Sequence, residues 1–268
     1  MLNSNDHPIV DAATPDSACE ITPWLDLGDV RLYHGDCREI LPLLDLPADT
    51  VTITDPPYGD TSLEWDRWVD GWADLLPGPQ AWVFGSMRMW LDKARDEFAG
   101  WKFAQDIVWE KHNGSGFAAD RFRRVHEHAL QFYRGDWCDL HHEVPRTLRQ
   151  RKHVVSRKQS PEHTGAIGGQ GLTESWDRMV RSVLQVRSEH GRAVHPTQKP
   201  IGILTPLIEY STPPAGIVLD PFAGSGSTLV AARMLGRRAV GIEGRIDYLE
   251  RAAERLAQGG LFASGGAA

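Results

Sequence analysis

A chain of 268 residues with 41% hydrophobic content can bury a full core, and no apolar run approaches the ~20 residues of a membrane span. Cys19, Cys37 and Cys138 are odd in number and far apart, which argues against a disulfide framework and a zinc site and for reduced thiols in a cytoplasmic protein. The net charge of −7 excludes a uniformly basic nucleic-acid binder.

Residues 1–20 are polar and proline-spotted, with no basic stretch leading into an apolar one. They read as a loose arm, extended here to residues 1–25, and not as a secretory signal. A strand near 30–34 runs into His34-Gly35-Asp36-Cys37, where Asp36 is placed to cap a helix beginning near Arg38. Val51-Thr52-Ile53-Thr54 is a β-branched run and reads as a buried strand. It meets Asp55-Pro56-Pro57-Tyr58. The first proline removes a backbone donor and both fix φ, so the strand stops there. What remains is a carboxylate, free carbonyls and an aromatic face, a set suited to a planar amine. A proline turn with a surface Asp and Tyr is the plain alternative. The polar stretch from Gly59 to Trp68 carries Trp65 and Trp68, either as a flexible cover over a target or as core side chains.

Further strands are expected near 81–84, 106–109 and 128–133. Between the last two, Arg121, Arg123 and Arg124 alternate around Phe122, as a phosphate contact or an exposed edge strand would. From Lys111 to Lys199 there are 16 Lys and Arg against 9 Asp and Glu, an excess of seven positive charges; the remainder has 13 against 27, an excess of fourteen negative ones. A basic middle on an acidic body suits a phosphate-contacting surface, although a charge run is commonly a solvated face. The densest run holds Arg146, Arg149, Arg151 and Lys152, followed by Arg157 and Lys158. Four glycines between Gly165 and Gly171 suggest a stretch that orders only on a partner. Residues 134–194 therefore read as an inserted region.

A helix near 200–210 precedes a buried strand, Gly216-Ile217-Val218-Leu219, ending at Asp220. Asp220-Pro221-Phe222-Ala223-Gly224-Ser225-Gly226-Ser227-Thr228 follows, then an apolar helix stopped near Gly236. Strand, glycine turn and helix read as the nucleotide-cofactor element of a doubly wound sheet, with backbone N–H groups free at the helix start; a plain tight turn is the alternative. A P-loop requires Lys where Ser227 stands, and a dinucleotide fingerprint requires a small residue where Leu229 stands. The next strand, 239–243, ends at Glu243, about 20 residues past the glycines, the usual place for an acid that accepts from ribose hydroxyls, although a lone Glu at a strand end is commonly just solvated. A last helix after Asp247 leads to a flexible tail at 259–268. Alternating strands and helices imply an α/β, doubly wound, mostly parallel sheet, with Asp36, Asp55, Asp220 and Glu243 along one edge.

Together these residues resemble the β-class DNA amino-methyltransferases, whose DPPY motif precedes the glycine-rich one. Four further blocks are similar and in the family's order: Trp82-Val83-Phe84-Gly85-Ser86, Ile107-Val108-Trp109-Glu110-Lys111, Arg124-Val125-His126-Glu127-His128 and His195-Pro196-Thr197-Gln198-Lys199-Pro200. The resemblance implies a circularly permuted Rossmann-like domain over 26–133 and 195–258, with seven strands and a hairpin at one edge. It implies S-adenosylmethionine as cofactor, S-adenosylhomocysteine as product and no metal. Asp55, Pro56, Pro57 and Tyr58 would be catalytic. Cofactor contacts would come from Asp36, Cys37, Asp55, His195, Pro196, Thr197, Lys199, Asp220, Phe222, Ala223, Gly224, Ser225, Gly226, Ser227, Thr228 and Glu243. Asp36 could serve the adenine, cap the helix, or do both. Residues 134–194 would recognise double-stranded DNA, in a homodimer or higher homo-oligomer associated with the nucleoid of a prokaryote or encoded by its phage. Asp at the first DPPY position leans toward N6-adenine over N4-cytosine. An RNA or protein-amide methyltransferase and a non-catalytic DNA-binding module remain as alternatives, the first disfavoured because such enzymes usually place the cofactor loop first.

Overall fold

A computed structural model describes residues 21–115, 119–157, 171–187 and 198–263. Its strands are β1 (Leu25–Asp26), β2 (Val30–His34), β3 (Val51–Thr54), β4 (Gln80–Gly85), β5 (Lys102–Ser115), β6 (Arg124–Tyr133), β7 (Arg146–Arg157), β8 (Gly171–Met179), β9 (Val183–Gln185), β10 (Ile217–Asp220) and β11 (Arg238–Glu243). The α-helices are α1 (Cys37–Ile40), α2 (Met87–Glu97), α3 (Ile201–Ser211), α4 (Ser227–Met234) and α5 (Ile246–Ala263).

One nine-stranded sheet has the order β1-β2-β11-β10-β3-β4-β6-β5-β9. From β2 to β4 every neighbouring pair is parallel. β6 then runs antiparallel to both β4 and β5, which makes the expected hairpin. The seven expected strands are all present. Two short edge strands raise the count to nine, because β1 pairs antiparallel with β2 and β9 pairs parallel with β5. Residues assigned by sequence to the arm and to the inserted region thus complete the main sheet. α5 also runs to Ala263, into the expected tail, since its apolar residues Leu249, Ala252 and Leu256 pack on the sheet.

Burial explains the central strands. β3 and β10 are buried at every position, as a parallel sheet covered on both faces requires. Alternate residues feed two cores. Leu32, Val51, Ile53, Trp82, Phe84 and Val218 meet α3, α4 and α5 on one face. Tyr33, Val83, Leu219 and Ile242 meet Ile40, Trp72, Trp90 and Phe98 on the other. The β7–β8 hairpin stands apart as its own two-stranded sheet.

Candidate functional site

Parallel pairing brings the C-terminal ends of β3, β10 and β11 to one edge, so Asp55, Asp220 and Glu243 meet there despite their distance in sequence. Thr54 Oγ1 donates to Asp220 Oδ1 at 2.7 Å and ties the two motif-bearing strands together. Asp220 also accepts from the Phe222 amide at 3.1 Å. Burial pushes its carboxyl up to about 6, against the bonds from Thr54 and Thr228. Glu243 accepts from the Gly224 amide through Oε2 and from the Arg245 amide through Oε1, each at 2.8 Å. Burial raises its carboxyl too. Each of these oxygens retains a lone pair for a hydroxyl donor. The turn between the strands needs its glycines: Gly224 and Gly226 have φ of +52° and +74°, and a Cβ on Gly226 would lie 3.0 Å from Ala252 Cβ. Arg255 of α5 pins the same turn, with Nη1 donating to the Ser225 carbonyl at 2.6 Å and to Ser227 Oγ at 3.0 Å.

The Asp55 turn is braced from two sides. Asp66, 6% exposed, accepts from the amides of Tyr58 (2.8 Å), Gly59 (2.9 Å) and Thr61 (2.7 Å). Burial opposes its charge, but these bonds hold its carboxyl below the usual range. The Tyr58 hydroxyl donates to Asp55 Oδ1, and Lys199 Nζ donates to Asp55 Oδ2 at 2.5 Å. Burial raises the Asp55 carboxyl, and Lys199 pulls it back. Burial and the neighbouring Asp55 charge push the Tyr58 hydroxyl well above its ordinary value.

A cavity of about 430 Å³ opens at this edge. Asp36, Cys37, Asp55, Pro57, Lys199, Asp220, Phe222, Ala223, Gly224, Ser225, Ser227, Thr228 and Glu243 all line it. Pro56 and Tyr58 complete the Asp55 turn beside it, and Gly226 shapes the glycine turn beneath. His195, Pro196 and Thr197 lie outside the described residues. Asp36 caps α1, accepting from the Arg38 amide at 2.8 Å, and it also lines the cavity. Burial drives the Cys37 thiol up to about 12, so it stays protonated. Four carboxylates line the cavity against the two cations Lys199 and Arg245, an excess of acidic groups that suits a cationic ligand carrying hydroxyls.

Sequence reasoning missed part of this wall. Tyr248 and Arg245 line it from α5 and the turn before it, with the Arg245 guanidinium 4.5 Å from the Tyr248 ring centre. Trp65 lines it as well and meets Tyr248 edge to face at 6.1 Å. The two tryptophans left open by sequence therefore divide: Trp65 faces the cavity, and Trp68 packs partly buried against the second core. Lys111 and Glu127 belong to recognised blocks but had no assigned role. Trp65 was visible as an aromatic in a polar loop; nothing in the spacing distinguished the others.

Among the described residues, the basic candidates Arg121, Arg123, Arg124 and Arg146 are exposed and lie outside the cavity lining. Arg121 pairs with Asp120 at 2.8 Å and Arg124 lies 3.5 Å from Asp60, while Arg123 is exposed. Arg146 pairs with Asp177 at 3.2 Å across the β7–β8 hairpin. Arg149, Arg151, Lys152 and Arg157 sit on β7, but their side chains, like all of Lys158, lie outside the described residues. Among the described residues no cluster of His, Cys, Asp and Glu could hold a metal ion, and no helix is long and apolar enough to cross a membrane.

Residues 50–254 match the N6_N4_Mtase family model, a DNA methylase. The type II methyltransferase M.ScaI of Streptomyces caespitosus is 26% identical over 255 residues, covering 87% of this chain and 83% of its own. M.HinfI of Haemophilus influenzae is 27% identical over 260 residues, covering 84% of this chain and 67% of its own. Among solved structures, the M1.HpyAVI–SAM complex aligns at a TM-score of 0.56 and 26% identity, over 84% of this chain and 99% of that one. The PvuII DNA methyltransferase, described as cytosine-N4-specific, shares the fold at a TM-score of 0.56 and 17% identity, over 84% of this chain and 86% of its own.

Proposed function

The chain belongs to the DNA methylase family of N6-adenine and N4-cytosine methyltransferases, and from that premise we propose that it methylates the N6 amino group of adenine in double-stranded DNA. S-adenosylmethionine is the methyl donor, and when bound it supplies a methyl group activated by a positively charged sulfur. The observation that carries the reading is that Asp55 shares one cavity with the glycine turn, Asp220 and Glu243. An acceptor for the target amine thus stands beside acceptors for cofactor hydroxyls.

The amino nitrogen of adenine is a poor nucleophile because its lone pair is delocalised into the ring. Asp55 and the Pro56 carbonyl each accept one N–H bond from it. This holds the nitrogen toward a tetrahedral shape and aims its lone pair at the methyl group, an effect of positioning and fixed electrostatics, and the proton that the methylated nitrogen must shed leaves by way of the Asp55 carboxylate. Tyr58 stacks on the base, which leaves the duplex to reach the turn. Glu243 accepts from the ribose hydroxyls of the cofactor. The basic residues from Arg121 to Arg124 and along the β7–β8 hairpin contact phosphates and read the site. Asp55 as the first residue of its motif supports adenine over cytosine.

The test is to offer duplex DNA, RNA and protein in parallel to the enzyme with labelled S-adenosylmethionine, digest the labelled DNA to deoxynucleosides and identify the labelled one. N6-methyl-2′-deoxyadenosine is expected. N4-methyl-2′-deoxycytidine would overturn the base assignment, and label in RNA or protein alone would overturn the substrate. Asp55→Ala is expected to be inactive while still binding cofactor.

A further inference from the structure

Behind Asp55 lies a line of buried and part-buried charges that have no stated part in the methyl transfer. Lys199 Nζ is 2.5 Å from Asp55 Oδ2 and 3.3 Å from Glu127 Oε2, and its side chain is 8% exposed. The other oxygen of Glu127 pairs with Lys111 Nζ. The chain runs Asp55, Lys199, Glu127, Lys111, alternating in sign and balanced in charge. Its members come from the turn after β3, the segment before α3, β6 and β5. Aromatic rings wall it: Lys199 Nζ is 5.1 Å from the Phe84 ring centre and 5.5 Å from that of Tyr58, and Lys111 Nζ is 4.6 Å from that of Trp109. Removing one partner from such a buried set leaves an uncompensated charge, so each member fixes the next.

We infer that Lys199 is a positioning residue for Asp55: its ammonium, seated between Asp55 and Glu127, keeps Asp55 an ionised, correctly oriented acceptor for the target amine, while the charge of Glu127 moderates that effect. This rests on the amino-methyltransferase reading above and gives Lys199 a different task from cofactor contact. With Tyr58 on Oδ1 and Lys199 on Oδ2, the plane of the carboxylate is set, and each oxygen keeps a lone pair for an incoming N–H. A protonated Asp55 would present an O–H to an amine that needs acceptors. Glu127 Oε2, 3.3 Å from Lys199 Nζ, gives the ammonium a second anionic partner besides Asp55.

The groups facing Asp55 are Tyr58 from its own turn, Lys199 from the segment before α3, Glu127 from β6 with Lys111 of β5 behind it, and Asp220 at the end of β10. Burial favours the neutral acid, Lys199 favours the carboxylate and Glu127 opposes it. Burial works against the charge of Lys199 as well, but Asp55 and Glu127 outweigh it. Burial likewise opposes ionisation of Glu127, yet Lys199 and Lys111 hold its carboxyl down to about 2.

The two neighbours therefore act with opposite sign, which a merely structural role would not do. The full chain would be prepared with ¹³C-labelled Asp carboxyls, and the Asp55 resonance assigned by its loss in Asp55→Asn. Lys199→Met should raise the Asp55 titration midpoint by about one pH unit or more, and Glu127→Gln should lower it. The acid limb of kcat on duplex DNA should move the same way in each variant, and Lys199→Arg should restore most of the wild-type behaviour. Affinity for S-adenosylmethionine should change by less than about threefold, because the partner of Lys199 is Asp55. If Lys199→Met fails to fold, Glu127→Gln, which keeps its shape, carries the test: an unmoved or raised midpoint overturns the proposal. So does a loss of cofactor affinity in Lys199→Met without a shift in the Asp55 midpoint. A wild-type protein that transfers no methyl group to DNA would instead overturn the reading on which this one rests, and the carboxyl titrations would still report on the charges alone.

Discussion

At Asp220 a single carboxylate sets stability against binding. It is 3% exposed, and its carboxyl titrates near 6 when folded against an ordinary 3.8. A raised acid holds its proton better in the folded state, so stability falls as pH rises from about 4 through about 6. Two pH units correspond to roughly 3 kcal/mol. Asp220→Asn keeps an acceptor for Thr54 and Phe222 without the charge. Denaturant unfolding at pH 8 should show a gain of up to about 2–3 kcal/mol that vanishes below pH 4, alongside weaker S-adenosylmethionine binding. No gain at pH 8 would mean that hydrogen bonds from the turn already solvate the carboxylate. Asp55, Asp220 and Glu243 were legible in the sequence because each closes an apolar run. Lys111 and Glu127 were not: they lie in strands whose alternation gives no sign that a charge is buried beside another.

Among the elements, the loop after Asp55 serves two neighbouring parts of the cavity wall. Asp66 gathers three amides of the Tyr58–Thr61 backbone, while its neighbour Trp65 lines the cavity against Tyr248. One loop therefore braces the Asp55 turn and walls the cavity beside it. Asp66→Ala leaves those amides unpaired at a cost of about 1–3 kcal/mol and should lower turnover tenfold or more as the turn loosens. Rapid-quench methyl transfer, compared with thermal unfolding, checks this. Full turnover with lowered stability would show that the turn orders itself on DNA. The strands and helices were largely readable from period and punctuation, including α3, placed at 200–210 and found at Ile201–Ser211. β1 and β9 were not, since strands of two and three residues carry no period and exist only because a neighbour offers its edge.

Across the whole molecule, the β7–β8 hairpin is a sheet of its own beside the nine-stranded one. Leu148 pairs with Asp177 across it, so the chain leaves and returns at nearly one point. Replacing residues 149–176 with a short glycine-containing turn should leave the melting temperature and cofactor affinity near wild type. DNA affinity should fall at least tenfold, with a shallower dependence on salt as phosphate contacts are lost. Calorimetry with S-adenosylmethionine and DNA titrations at two salt concentrations would measure both. Unchanged DNA affinity would move recognition to the Arg121–Arg124 segment.

The order and type of the long elements, and the residue kinds gathered at the ends of β3, β10 and β11, could be read from the amino acids in line, because burial period and proline or glycine punctuation are local properties of the chain. The meeting of Lys199 with Asp55 and Glu127, and the turning of Trp65 toward Tyr248, came only with the folded sheet. Those contacts join side chains from elements remote in sequence, and their energy depends on a low-dielectric interior that does not exist until the two faces are covered.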